Sequence, residues 1–351
     1  MEVALGRGLA VIEELNLRGE SSPELASALL DVPPLALAVV AQRFRASATL
    51  SPFGAMSWSS RAADAAVDAA VSLQRNGRAR ELAVQRLAAA AEPKVVPFLL
   101  LRLDDIVPAV RASAAEAVLS RLQAENAPTF ARCLGLLAVL ARRQRGQAAA
   151  AVRGVREFLA SPEQWRLLAD QFRDPDGTTR LEAFKLALTG DPDVVLLALA
   201  DSDPGVRRWA MRTLCSRQVS SEVRHRGLPF LESSRDARVR LMALKARAPE
   251  LSAGALEARW LFDAHSSVRL EARKLLTALA PDRPVTRSRE LAIAALKKPE
   301  TPAAVRVGAL GTIADLGRSA DIALVAPFLD EPGAVRREAK RTLRILETLG
   351  T

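Results

Sequence analysis

The sequence predicts an all-α chain, a right-handed α-solenoid of stacked helical hairpins, and three observations carry that expectation. An acidic residue, five residues, Arg, two residues and Ala recur in full six times along the 351 residues: Asp105/Arg111/Ala114, Asp174/Arg180/Ala183, Asp201/Arg207/Ala210, Asp263/Arg269/Ala272, Glu300/Arg306/Ala309 and Asp330/Arg336/Ala339. Such units, about 30 residues long, hold two amphipathic stretches separated by Asp-Pro, Asp-Gly or Pro-Gly turn signals, the pattern of a helical hairpin. A composition of 49% hydrophobic, 26% charged and 4% aromatic residues is that of a folded chain, not a disordered one.

Residues 1–75 fit the repeat poorly and read as an N-terminal helical cap with a loop near 48–60; residues 76–351 read as the repeat array. Within the cap, helical patterns run over Val3–Leu17, Pro23–Leu30 and Pro34–Ala46, and the loop spans Ser51 to Ser60 with Phe53, Met56 and Trp58. Leu25 to Arg43 has the look of a helix-turn-helix, but Pro33-Pro34 also suits the start of an ordinary helix, because proline is at home in a first turn. A seventh repeat, Arg240/Ala243, has Ser234 in the acidic place and Asp236 two residues later, and Val precedes the Arg in six of the seven. The long interval from Arg111 to Arg180 has room for a degenerate copy at Arg145/Ala148 or Val152-Arg153. Asp201-Ser202-Asp203-Pro204-Gly205 followed by Val206-Arg207-Arg208-Trp209-Ala210 shows the whole device: turn acids able to accept orphan N–H groups, then a second helix. On that helix Val at −1, Ala at +3 and an apolar residue near +7 (Val118, Leu214, Leu276, Ile313, Leu343) form one buried stripe. Pro281 to Ser288 reads as a longer loop.

These repeats resemble HEAT repeats, in the short variety typified by phycobilisome-lyase-type HEAT-like repeats, over roughly residues 79–351. The resemblance implies an α-solenoid whose second helices line a concave face, with turn acid and Arg forming a ladder between adjacent repeats. It implies little about chemistry. DNA glycosylases for alkylated bases use a related HEAT-like solenoid, and Arg207-Arg208-Trp209-Ala210 looks faintly like their Arg-rich helix. The Asp expected one turn after a concave Trp is missing, however: Ala62, Ala169, Thr213 and Ala264 follow Trp58, Trp165, Trp209 and Trp260.

Functional expectations follow from charge and from missing motifs. Lys plus Arg total 50 against 40 acids, a net charge of +10 that favours acidic partners. Cys133 and Cys215, with His225 and His265, make neither a disulfide framework nor a Cys/His zinc site without using both pairs, and cytoplasmic location fits such cysteine use. The start Met1-Glu2, and a longest apolar run of only Val32 to Ala41, point to neither a signal peptide nor a membrane span. There is no glycine-rich phosphate loop, His-Glu-x-x-His or Cys-x-x-Cys, and Asp174-Pro175-Asp176-Gly177 lacks the rest of a calcium loop. The expectation is therefore a protein that is not an enzyme and has no cofactor. Position +5 from the repeat Arg faces away from the core stripe, and there stand Lys185, Arg212, Lys245, Lys274 and Arg341, broken by Glu116 and Gly311. Acids three residues earlier can neutralise Lys185, Lys274 and Arg341, whereas Arg212 and Lys245 follow Trp209 and Met242. Arg208, Trp209, Arg212, Met242, Lys245 and Lys274 are thus expected to form one patch on the concave face of a scaffold or adaptor that grips a protein partner's acidic or amphipathic segment. The alternatives are a nucleic-acid-binding protein, distantly like the glycosylases, and a chromophore lyase-like activity implied only by the repeat's name.

Overall fold

A computed structural model describes residues 23–46, 64–74, 76–143, 147–281 and 286–349. Among them every regular element is helical, 21 α-helices joined by turns and short 3-10 segments, with no strand. The expected Val3–Leu17 helix and the Ser51–Ser60 loop lie outside the described residues. The chain forms two compact units, Met1–Ala210 and Met211–Thr351, whose boundary falls inside helix Pro204–Leu214.

In the first unit Ala65–Ser72 packs on Pro23–Leu30 and pairs with Gly77–Ala89, which packs on Pro108–Leu119; further on, Trp165–Gln171 pairs with Gly177–Ala187. In the second, Ser221–Glu232 pairs with Ala237–Arg247, which packs on Ser266–Leu279, and Thr286–Lys297 pairs with Ala303–Leu316, which packs on Ala334–Thr348. Each unit is thus an all-α, solenoid-like stack of hairpins. Pro34 opens an ordinary helix, Pro34–Ala46. The second helices bury the stripe read from the sequence: Val110, Ala114 and Val118 are fully enclosed, as are Val206, Ala210 and Leu214. Each such Val or Leu is worth about 1.5–3 kcal/mol, against about 0–1 kcal/mol for an exposed ion pair. Apolar burial therefore drives the stacking, and polar groups set its register.

The register is set by the repeat arginines, which are held from two sides. On one side Nη1 donates to the backbone carbonyl six residues earlier, that of Asp105 for Arg111 (2.6 Å), Asp174 for Arg180 (2.6 Å), Asp201 for Arg207 (2.6 Å), Ser234 for Arg240 (2.8 Å) and Asp263 for Arg269 (2.8 Å). On the other side Nε and Nη2 form a two-pronged pair with the carboxylate of the next turn: Arg180 with Asp201 at 2.9 and 2.8 Å, and Arg240 with Asp263 at 2.7 and 2.8 Å. The receiving carboxylates also accept the N–H two residues on, from Asp203 and His265. A second acid or polar residue, Asp176, Asp203, Asp236 or His265, then caps the helix itself. Only the planar five-donor fork of arginine can serve both sides at once.

The sequence motif does not find every rung. Arg80 donates to the Gln74 carbonyl (2.9 Å) and to both oxygens of Asp105 (2.8 and 2.8 Å), yet Gln74 stands where the motif has an acid. Position −6 serves its own arginine through the main chain, so its side chain matters to the preceding arginine and to the turn N–H two residues on, not to the arginine of its own repeat. Arg207 makes no carboxylate pair among the described residues and holds the Asp201 and Ser202 carbonyls. The degenerate copy falls on helix Gln147–Leu159, where Val152 is buried but Arg153 is exposed, and Arg156 instead pairs with Glu182 at 2.5 Å.

Two expectations fail in the second unit. Arg269 does not use Glu300; its fully buried guanidinium reaches Asp315 (3.0 Å) and the Gly311 carbonyl (3.0 Å). Helix Ala303–Leu316 makes this possible by a close approach of backbones: a Cβ on Gly308 would lie 1.7 Å from the Phe262 carbonyl oxygen, and one on Gly311 2.5 Å from Arg269 Nη1. Gly311, at a +5 position read as solvent-facing, is consequently buried. The Pro281–Ser288 loop is also shorter than read, since helix Thr286–Lys297 already includes a buried Ser288. Arg306 is again held from two sides, but by Glu331, not the motif acid Asp330, and by the Pro299 carbonyl seven residues back.

Two outcomes follow from unequal rungs. Arg269→Ala, which leaves the Gly311 carbonyl without its buried donor and Asp315 with Arg273 alone at 3.2 Å, should cost about 1.5–3 kcal/mol; Arg207→Ala, losing carbonyl bonds alone, should cost about 1 kcal/mol, and urea unfolding of the two variants compares them. The Asp201 carboxyl is held below the usual carboxylate range, first by the Arg180 guanidinium and against partial burial. A depressed folded pKa stabilises above the unfolded value of about 3.9 and ceases to do so as pH falls through the folded value. Asp201→Asn should therefore be less stable than the parent at pH 7, and the gap between their melting temperatures should close as pH drops below about 4.

Candidate functional site

The outer faces of the second helices carry the positive charge that the ladder leaves over. Arg208 is exposed in the first unit, and Arg212, Lys245 and Lys274 are exposed in the second. Arg208, Arg212 and Lys274 have no ion-pair partner among the described residues. Lys245 does: its Nζ lies 3.7 Å from Glu271 Oε1 on the neighbouring helix, a cross-helix pairing invisible to a count of residues three places back. Lys185 and Arg341 are met, as their spacing allows, by Glu182 (2.7 Å) and Glu338 (2.9 Å). Glu271, the acid three places before Lys274, faces Lys245 instead. Met242 is half-buried.

Trp209 is half-buried in an aromatic row. Its ring lies 6.4 Å from Phe184 at 24°; Phe184 stacks on Phe172 at 4.3 Å and 12°, and Phe172 meets Trp165 edge-on at 6.0 Å. The row crosses two hairpins of the first unit. One face of the indole is thus occupied by packing, and the residue is part scaffold, part surface.

Other concavities in the first unit are apolar and of mixed charge. A cleft of about 560 Å³ lies among Leu140, Val152 and Leu186, with Arg153 and Glu157 at its edge. A second, of about 390 Å³, shares Ala160 and Leu186 with it and includes Trp165. They open beside the degenerate repeat, where the Arg156–Glu182 pair stands in place of a repeat-arginine rung.

The titratable side chains outside the ladder offer little reactivity. Burial pushes the Cys133 thiol up to about 12 and the Cys215 thiol up to about 11, away from the thiolate that nucleophilic or ligand chemistry needs. No cluster of three or more His, Cys, Asp or Glu suited to a metal occurs among the described residues. His225 faces Glu250 at 3.4 Å, and the His265 ring takes the Ser267 N–H as a helix cap. Buried charge that the motif missed is structural: Glu232 holds Arg247 and Arg259, each at 3.0 Å. No helix among the described residues is long and apolar enough to cross a membrane.

No protein-family model matches the chain, and no curated protein matches it. Among solved structures, similarity is found to one engineered protein (16% identity, TM-score 0.27, 97% of this chain and 99% of that one) and to another (17%, 0.23, 67% and 96%). A third is human deoxyhypusine hydroxylase in complex with glycerol (17%, 0.23, 85% and 100%). At such TM-scores these likenesses assign neither family nor activity.

The double position of Trp209 has a measurable consequence. Trp209→Ala should lower stability by about 2 kcal/mol through lost ring contact and apolar burial, seen as a lower thermal midpoint. A solely solvent-facing Trp would leave the midpoint unchanged.

Proposed function

We propose that this chain is a HEAT-like interaction scaffold without catalytic activity of its own, acting in a reducing compartment such as the cytoplasm. It holds an acidic or amphipathic segment of a protein partner against the outer faces of its second helices. One observation carries this reading: Arg208 is exposed next to the half-buried Trp209 in the first unit, Arg212 and Lys274 are exposed and Met242 half-buried in the second, and the three cations have no ion-pair partner among the described residues. Exposed cations next to apolar area attract an acidic segment at long range and retain it by contact. Each outer face is borne by a helix whose apolar stripe is buried, as Val206, Ala210 and Leu214 are, so little order is lost on binding.

The test is a nuclease-treated pull-down followed by measured association of the isolated partner. Arg208→Glu, Arg212→Glu and Lys274→Glu together should slow association at least tenfold at low salt, with the difference shrinking as ionic strength passes about 0.1 M. Unchanged association kinetics, or capture that nuclease abolishes, would overturn the proposal.

A further inference from the structure

The last described helix, Ala334–Thr348, has the strongest segregation of apolar and charged residues among the described helices. Val335, Ala339, Thr342 and Leu346 are buried against the preceding hairpin. At 100° per residue, Arg337, Lys340, Arg341 and Arg344 fall within an arc of about 100° opposite that face, and all four are exposed. Arg341 is met by Glu338 at 2.9 Å; Arg337, Lys340 and Arg344 have no partner among the described residues. Two other charges flank the stripe: Glu347 at its far edge, and Arg336, which donates to the Leu329 and Glu331 carbonyls. The pairs 337/341 and 340/344 are like charges one turn apart, an arrangement that opposes helix formation. Glu338 offsets Arg341 in the first pair; the second, Lys340/Arg344, has no acid paired to it among the described residues.

From this we infer that helix Ala334–Thr348 contacts the phosphate backbone of duplex nucleic acid, a function separate from the protein scaffold and not resting on it. Four cations span eight residues, about 10 Å of helix axis, a mean spacing of ~3.5 Å. A duplex strand presents a phosphate about every 3.4 Å along its axis. An extended acidic peptide turns alternate side chains away and offers one carboxylate per ~7 Å. The helix has no aromatic residue, so it provides no platform for unpaired bases. Its apolar residues face the core, leaving none to enter a lipid surface. The contact is therefore electrostatic and indifferent to base sequence.

The experiment uses the full chain and a fluorescent 20-base-pair DNA duplex, with a second duplex of unrelated sequence, across a salt series. The triple variant Arg337→Gln, Lys340→Gln and Arg344→Gln should bind both duplexes at least tenfold more weakly at low salt. Its slope of log affinity against log salt should be shallower by about 3, at 0.9 per lost phosphate contact. Lys340→Gln alone should reduce the slope by about 1, a check independent of how the triple variant folds, and the triple variant should melt no lower than the parent because repulsion is removed. An unchanged slope overturns the inference. So does a slope lost instead in the Arg208/Arg212/Lys274 variant, which would move the contact elsewhere. Binding of polyglutamate or of phosphatidylserine vesicles through this stripe, with none to duplex, would replace the inference with an acidic-protein or membrane contact.

Discussion

The structure depends on one interaction, the guanidinium held between a carbonyl of its own turn and a carboxylate of the next. Hydrophobic burial is non-directional and would let neighbouring hairpins slide along a stripe of Val, Ala and Leu. A planar fork bonded on both edges does not slide. Where the clamp is complete, as at Arg80, Arg180 and Arg240, each turn is tied both to its own helix and to its neighbour. Where it is absent, at helix Gln147–Leu159, the first unit opens into clefts.

The clamp also sorts the charge. Roughly as many arginines as there are repeats are consumed inside the stack, each neutralised by a turn acid or by carbonyl dipoles. The net charge of +10 is therefore expressed by other cations, on the outer faces of the second helices and along the last described helix. Charge that is spread over the sequence becomes concentrated on surfaces because the same residue type, arginine, has two uses. A position at the start of a second helix makes it structural; one or five residues later it faces solvent.

The second unit solves its packing differently. Gly308 and Gly311 allow backbone to approach backbone, Thr312 Oγ1 donates to the Leu261 carbonyl at 2.9 Å, and Arg269 reaches past the expected turn to Asp315. The rung persists there with changed partners, which is possible because a buried guanidinium needs acceptors, not particular ones.

The sequence alone determined that the chain is all helix, where the hairpins turn, which stripe is buried and that the repeat arginines are structural, because all of these rest on local periodicity and on residues at fixed offsets. Much of the candidate site was legible too: Arg208, Arg212, Lys245 and Lys274 are exposed as their helical positions require. Tertiary structure decided what each side chain meets. The Arg80 rung was hidden because a main-chain carbonyl leaves no mark on residue identity. Glu271 was read as the partner of Lys274, yet the neighbouring helix brings Lys245 to it. The sequence left Trp209 open between a recognition surface and a place between repeats; the Phe184 ring packed against it from another hairpin makes it part of both. Arg269 found Asp315, 46 residues away, through glycines whose effect is to let helices touch. Pairing across helices depends on interhelical distance, which no offset along one chain encodes.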